Sequence, residues 1–122
     1  MYIFLDDERR PGQVTWIAIP CIPVCQWTIA RNIDQFKTLL TDALENDIKI
    51  DHISFDHDLA DQHYGGNFND ERTGFDCAKY LVEWCMDNDK ELPAWTVHSM
   101  NPIGAENINA YLNNYKRLCQ RN

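Results

Sequence analysis

The chain has 122 residues, 44% of them apolar and 25% charged, and a formal net charge of −8. That length supports one hydrophobic core, so a single domain over residues 1–122 is expected. With no basic run beyond Arg9-Arg10, such acidity argues against a broad duplex-DNA-binding face but leaves room for a small anion, or one nucleic-acid end, held locally.

No apolar run approaches the roughly 20 residues that span a bilayer, and no leader pattern opens the chain, so a cytoplasmic protein without membrane contact is expected. The five cysteines form no C-x-x-C pair, which suits a reducing compartment. Cys21 and Cys25 are spaced loosely for zinc and read as small apolar packing.

Tyr2–Leu5 is a short apolar run that breaks into Asp6-Asp7-Glu8-Arg9-Arg10. Residues 11–25 then carry three prolines and no helical period where a crossover helix would stand, and that helix is expected to be missing. A second strand is expected over Gln26–Ala30. Asn32, with Gln35 three residues on, opens a helix whose buried stripe is Ile33, Phe36, Leu39, Leu40, Ala43 and Leu44. His52-Ile53-Ser54-Phe55 forms the third apolar run and ends in Asp56-His57-Asp58. Residues 60–72, with Gly65-Gly66, read as a long binding loop or lid.

Thr73 with Asp76 starts a second helix, continued by Ala78, Leu81, Val82, Cys85 and Met86 and stopped at Asp87-Asn88-Asp89. After Pro93, Trp95-Thr96-Val97 is a fourth strand running into His98-Ser99. Asn101-Pro102 opens the last helix, with Ile108, Tyr111, Leu112, Tyr115 and Leu118 on its buried side. Strands alternating with helices imply right-handed crossovers and a parallel sheet.

Three of these strands end in ionisable residues. In an open parallel sheet, ligands bind at the carboxyl ends of the strands, which share one edge, so the sequence-distant clusters should meet in one crevice. Asp6, Asp7 and Asp56 could supply oxygen ligands to a weakly bound Mg²⁺ or similar divalent ion; consecutive residues diverge, so at most two of Asp6, Asp7 and Glu8 should converge. His57 and His98 follow different strands and suit proton transfer near neutral pH, with Asp56 and Asp58 orienting an imidazole. His52 and His63 read as structural. Arg9 and Arg10 match phosphate geometry, and equally could brace the carboxylates beside them. Thr73, Ser99 and Asn101 stand at helix starts, where free N–H groups can cradle an anion, although capping alone would explain Thr73 and Asn101.

Leu5-Asp6-Asp7-Glu8-Arg9-Arg10-Pro11, Ile53-Ser54-Phe55-Asp56-His57-Asp58-Leu59, Thr73-Gly74-Phe75-Asp76 and His98-Ser99-Met100-Asn101-Pro102-Ile103-Gly104 resemble, in this order, the motifs of the cyclic-phosphate processing receiver-like domain family. The resemblance implies a fold derived from the response-regulator receiver domain. It also implies action on cyclic phosphate ends of RNA or nucleotides, in bacterial or phage RNA processing and repair. By position, Asp6 and Asp7 resemble the receiver's acidic metal pair and Asp56 its phosphoacceptor. The chain departs from a receiver in carrying His57 and His98-Ser99, and the fifth strand with its lysine is expected to be missing.

The expected architecture is therefore a receiver-like (flavodoxin-like) α/β three-layer sandwich, with a short parallel sheet in the order 2-1-3-4. The expected function is a cyclic phosphodiesterase (a hydrolase) with His57, His98, Asp56 and Asp58 at the reacting centre. Arg9, Arg10, Thr73, Ser99 and Asn101 would face substrate. The alternative is a non-catalytic receiver-like module that binds Mg²⁺, a nucleotide or a protein partner.

Overall fold

The structure, a computed structural model, describes residues 1–58 and 73–120. The loop expected over 60–72 lies outside the described residues. The elements are β1 (Tyr2–Leu5), β2 (Trp27–Ala30), α1 (Ile33–Glu45), β3 (His52–Phe55), α2 (Gly74–Asp87), β4 (Ala94–Val97) and α3 (Pro102–Gln120). All four strands are parallel, in the order β2-β1-β3-β4. This is the receiver-like α/β order expected from sequence.

Between β1 and β2 there is no α-helix, only short 3₁₀ turns at Pro11–Gln13 and Val24–Gln26. The prolines explain this, since each lacks a backbone N–H and fixes φ. Gln26 belongs to the second of these turns, where its N–H donates to the Pro23 carbonyl at 2.9 Å, and the strand starts one residue later than expected.

Side chains close the helix starts. The Asn32 side chain accepts from the Gln35 N–H at the head of α1, Thr73 and Asp76 form a reciprocal capping box on α2, and Asn101 Oδ1 accepts from the Gly104 N–H at 3.0 Å on α3. Each such cap contributes about 1 kcal/mol. Beyond the last turns of α1 and α2, Asp47 and Asp89 both take φ of 53°, the left-handed position that usually ends a helix with glycine.

One core joins the helices to the sheet. Ile3 and Leu5 of β1, Ile53 and Phe55 of β3 and Val97 of β4 pack with Phe36 and Leu40 of α1, Leu81 and Cys85 of α2, and Ile108 and Leu112 of α3. Strand side chains alternate, so Phe4, Ser54 and Thr96, which are register partners, face the other way. That second face is aromatic. Trp27 stands edge-on to Tyr2, Phe4 and His52, and Phe4 lies flat against the His98 ring. Phe4 is fully buried although none of the three described helices joins it in the core cluster.

Candidate functional site at the carboxyl edge of the sheet

The last residues of the four strands, Ala30, Leu5, Phe55 and Val97, are register partners across the sheet. Backbone pairing runs one residue further: the Asp6 N–H donates to the Ala30 carbonyl, Asp56 to Leu5 and His98 to Phe55, at 2.9–3.0 Å. Arg31, Asp6, Asp56 and His98 therefore follow one another along a single edge. This is the meeting of clusters that parallel pairing requires.

His98 is fully buried. Its ring stacks on Phe4 with centroids 4.4 Å apart and planes 6° from parallel. Nε2 lies 3.0 Å from Asp6 Oδ2, and Nδ1 lies 2.6 Å from Ser54 Oγ. A carboxylate only accepts hydrogen bonds, so the Asp6 contact places a proton on Nε2, and the Ser54 hydroxyl turns to suit Nδ1.

Asp6 is the hub of the site. Its other oxygen, Oδ1, accepts from the backbone N–H groups of Glu8 and Arg9 at 2.9 and 2.8 Å, which folds the acidic loop back over the strand end. Burial raises the Asp6 pKa, but the hydrogen bonds from His98, Arg9 and Glu8 outweigh it and leave the carboxyl below its usual range. Its neighbours respond in the opposite sense. Burial, then the charges of Asp6, Asp56 and Glu8, push Asp7 up to about 6. Burial and the Asp6 charge likewise raise Asp56. Among the described residues, negative charge at this edge exceeds what the cations balance.

Two arginines sit against the hub. Arg9 Nη1 is 3.7 Å from Asp6 Oδ2, Nη2 donates to Met100 Sδ at 3.4 Å, and the guanidinium lies over the Trp16 ring, 5.0 Å from its centroid. Arg31 donates from Nη1 to the carbonyls of Asp6 and Arg9 at 3.1 and 2.8 Å. Sequence reasoning missed Arg31, although it directly follows β2 as Asp6 follows β1, which was the available signal. Arg10 is exposed, and its backbone N–H donates to Gln13 Oε1 at 2.7 Å.

His57 follows Asp56 and is half-buried, with Nδ1 2.9 Å from Asp58 Oδ1; Asp58 itself is exposed. Two glycines make room for this corner. A Cβ on Gly74 would fall 1.8 Å from the Asp56 carbonyl oxygen, and one on Gly104 would fall 2.3 Å from Cγ of the His57 ring. Side chains there are excluded because the first turns of α2 and α3 close directly on residues 56 and 57.

Thr73, Ser99 and Asn101 hold helix starts. Thr73 Oγ1 accepts from the Phe75 N–H at 3.2 Å, Ser99 Oγ accepts from the Asn101 N–H at 3.1 Å, and Asn101 caps α3. Trp16, from the proline-rich stretch, donates its indole N–H to the His98 carbonyl at 2.8 Å. It too was missed by sequence reasoning, for a lone tryptophan in an irregular segment carries no periodic signal.

Asp6, Asp56 and His98 each offer a donor atom within 4.8 Å of the others. Asp7 stands outside that group while still feeling its charge. The oxygen donors of Asp6 and Asp56 suit a hard divalent cation, and the crowding that raises Asp56 and Asp7 marks where positive charge would be stabilising. His98 Nε2 would first have to release its bond to Asp6. The pair of carboxylates therefore fits Mg²⁺ better than the full triad does.

A four-stranded parallel sheet in this order, with carboxylates from two adjacent strands at its carboxyl edge, defines a receiver-like domain. More narrowly, residues 1–114 match the family model described as the cyclic-phosphate processing receiver domain, and the chain belongs to that family. No curated protein and no solved structure matches it. No helix among the described residues is long and apolar enough to cross a membrane.

Proposed function

We propose that this domain opens 2′,3′-cyclic phosphates at the ends of RNA or on nucleotides. The observation that supports this reading most directly is the buried convergence of Asp6, Asp56 and His98 at the sheet edge, in a chain of a cyclic-phosphate processing family. Water adds to phosphorus and one ring P–O bond breaks. A base takes the water's proton, an acid protonates the released 2′ or 3′ oxygen, and a phosphomonoester remains.

His57 carries one of these protons in this reading, with Asp58 setting its tautomer through Nδ1. His98 is buried with both nitrogens engaged, so it serves the second transfer only by way of its contact with Asp6. Asp56 and Asp7 hold protons more readily than ordinary carboxyls and are the other candidates for that step. Arg9 or the exposed Arg10 faces the phosphate oxygens in this reading, and Thr73, Ser99 and Asn101 present the helix starts toward them. Asp6 and Asp56 would hold a weakly bound divalent cation, which supplies charge neutralisation at those oxygens.

Incubating the protein with 2′,3′-cyclic mononucleotides, and with oligoribonucleotides bearing the same end, tests this in the presence of Mg²⁺ and of chelator. Appearance of a 2′- or 3′-phosphomonoester is the expected result. Binding of these compounds without turnover, by wild type and by His57→Ala alike, would support a non-catalytic nucleotide-binding module instead.

A further inference from the structure

Between β1 and β2 the chain runs without an α-helix, and Trp16, from its proline-rich part, reaches the site. An indole outside the core usually wanders. This one is pinned at its polar end to the His98 carbonyl, and the Arg9 guanidinium covers a face of its ring. It nevertheless remains 40% exposed. Met100, 64% exposed just before α3 begins, is tied to the same Arg9 through its sulfur. Arg9 in turn reaches Asp6. A held aromatic plane, a cation and an apolar border thus adjoin the anion-handling edge, which is the arrangement that receives a flat heteroaromatic group attached to a phosphate.

We propose that Trp16 is a stacking platform for the purine or pyrimidine of a ribonucleotide whose phosphate lies at the Asp6–Asp56 edge. This rests on the reading of that edge as a phosphate site. The platform makes the substrate class a nucleotide or an RNA end rather than a bare sugar phosphate. Stacking tolerates any base, so no strong base preference is expected. Trp16 is a binding residue in this scheme and takes no part in proton transfer.

Calorimetric titration with adenosine 3′-monophosphate, with methyl ribofuranoside 3-phosphate as its base-free counterpart, and with a short oligoribonucleotide ending in a 3′-phosphate tests the proposal. Wild type should bind the base-bearing mononucleotide about 10-fold or more tighter than the base-free compound. In Trp16→Ala that ratio should fall toward one while base-free affinity holds, and Trp16→Phe, which keeps a ring but loses the indole donor, should recover part of it. Whichever of mononucleotide and oligonucleotide binds tighter identifies the source of the base, and Trp16→Ala must weaken that one. Thermal melting of each variant shows that the fold is intact. A ratio that survives in Trp16→Ala overturns the platform. Base-free phosphate bound as tightly as the nucleotide by wild type also overturns it while leaving the phosphate site standing, as expected if Trp16 instead lies under a protein partner. Failure to bind any of the three compounds overturns both readings.

Discussion

Burying an imidazole with both nitrogens bonded makes it part of the structure as well as of the site, and His98 is in that position. His98→Ala removes a ring stacked on Phe4, strips Asp6 of a donor and leaves the Ser54 hydroxyl without its partner. A loss of about 3 kcal/mol in urea unfolding is expected. His57 is half-buried and bonded to an exposed carboxylate, so His57→Ala should unfold close to wild type while turnover falls by about 10²-fold or more. Equal destabilisation by both variants would deny His57 a separate role in turnover. Asp7 adds a pH signature. Its folded pKa of about 6 lies above the ordinary aspartate value of 3.8, so between those values the native state binds more protons than the unfolded one. The Asp7 contribution therefore favours folding at low pH and is lost as pH rises through 6. Asp7→Asn should raise stability at pH 7 by roughly 1–2 kcal/mol and by less at pH 4, as read from unfolding midpoints. Asp6 runs the other way: its lowered pKa gives stability that is present above about 3.8 and lost as pH falls through its folded value.

The corner where β3 meets α2 and α3 is set by backbone contact, which is why its glycines matter. At Gly74 a methyl group would meet the carbonyl of Asp56, a backbone atom that cannot swing aside, so Gly74→Ala should cost several kcal/mol, roughly 2–4, or prevent folding. At Gly104 the obstacle is the His57 side chain. Gly104→Ala should keep most of its stability yet displace the imidazole, giving a fall in turnover close to that of His57→Ala. Stability lost at Gly104 with turnover intact would mean that the ring's place against α3 is immaterial. Strands, caps and the absent crossover helix were legible because each rests on local chemistry: short apolar runs, Asn32 and Thr73 at helix starts, and prolines at 11, 20 and 23. Convergence of Asp6 and Asp56 was legible from parallel topology. The depth of His98 was not, because its burial depends on Ser54 of the neighbouring strand and Phe4 two strands away, and neither the contact of Trp16 with the site nor the closeness of Gly104 to His57 has any local sequence cue.

At the scale of the molecule, a chain of net charge −8 gathers three carboxylates where it is expected to receive a phosphate, and something must offset that repulsion. Arg9 stands 3.7 Å from Asp6, while the described bonds of Arg31 go to main-chain carbonyls, so the arginines cancel only part of the charge. Burial and mutual repulsion raise Asp7 and Asp56, so each takes up a proton more readily than an ordinary carboxyl, and a divalent cation held by Asp6 and Asp56 would compete with protonation at that pair. A ligand that binds only the folded state stabilises it by about 1.4 kcal/mol when its concentration is roughly tenfold above its dissociation constant. Millimolar Mg²⁺ should therefore raise the melting temperature by a few degrees at pH 7 and by little at pH 4.5, where Asp7 keeps its proton. Asp56→Asn should abolish the Mg²⁺ response. It should also raise stability without the ion at pH 7, because burial and the Asp6 charge penalise the Asp56 carboxylate. A melting temperature that ignores Mg²⁺ at both pH values, with no heat on titration and undiminished turnover in chelator, would leave Arg9 and Arg31 as the counter-charges that the described residues supply.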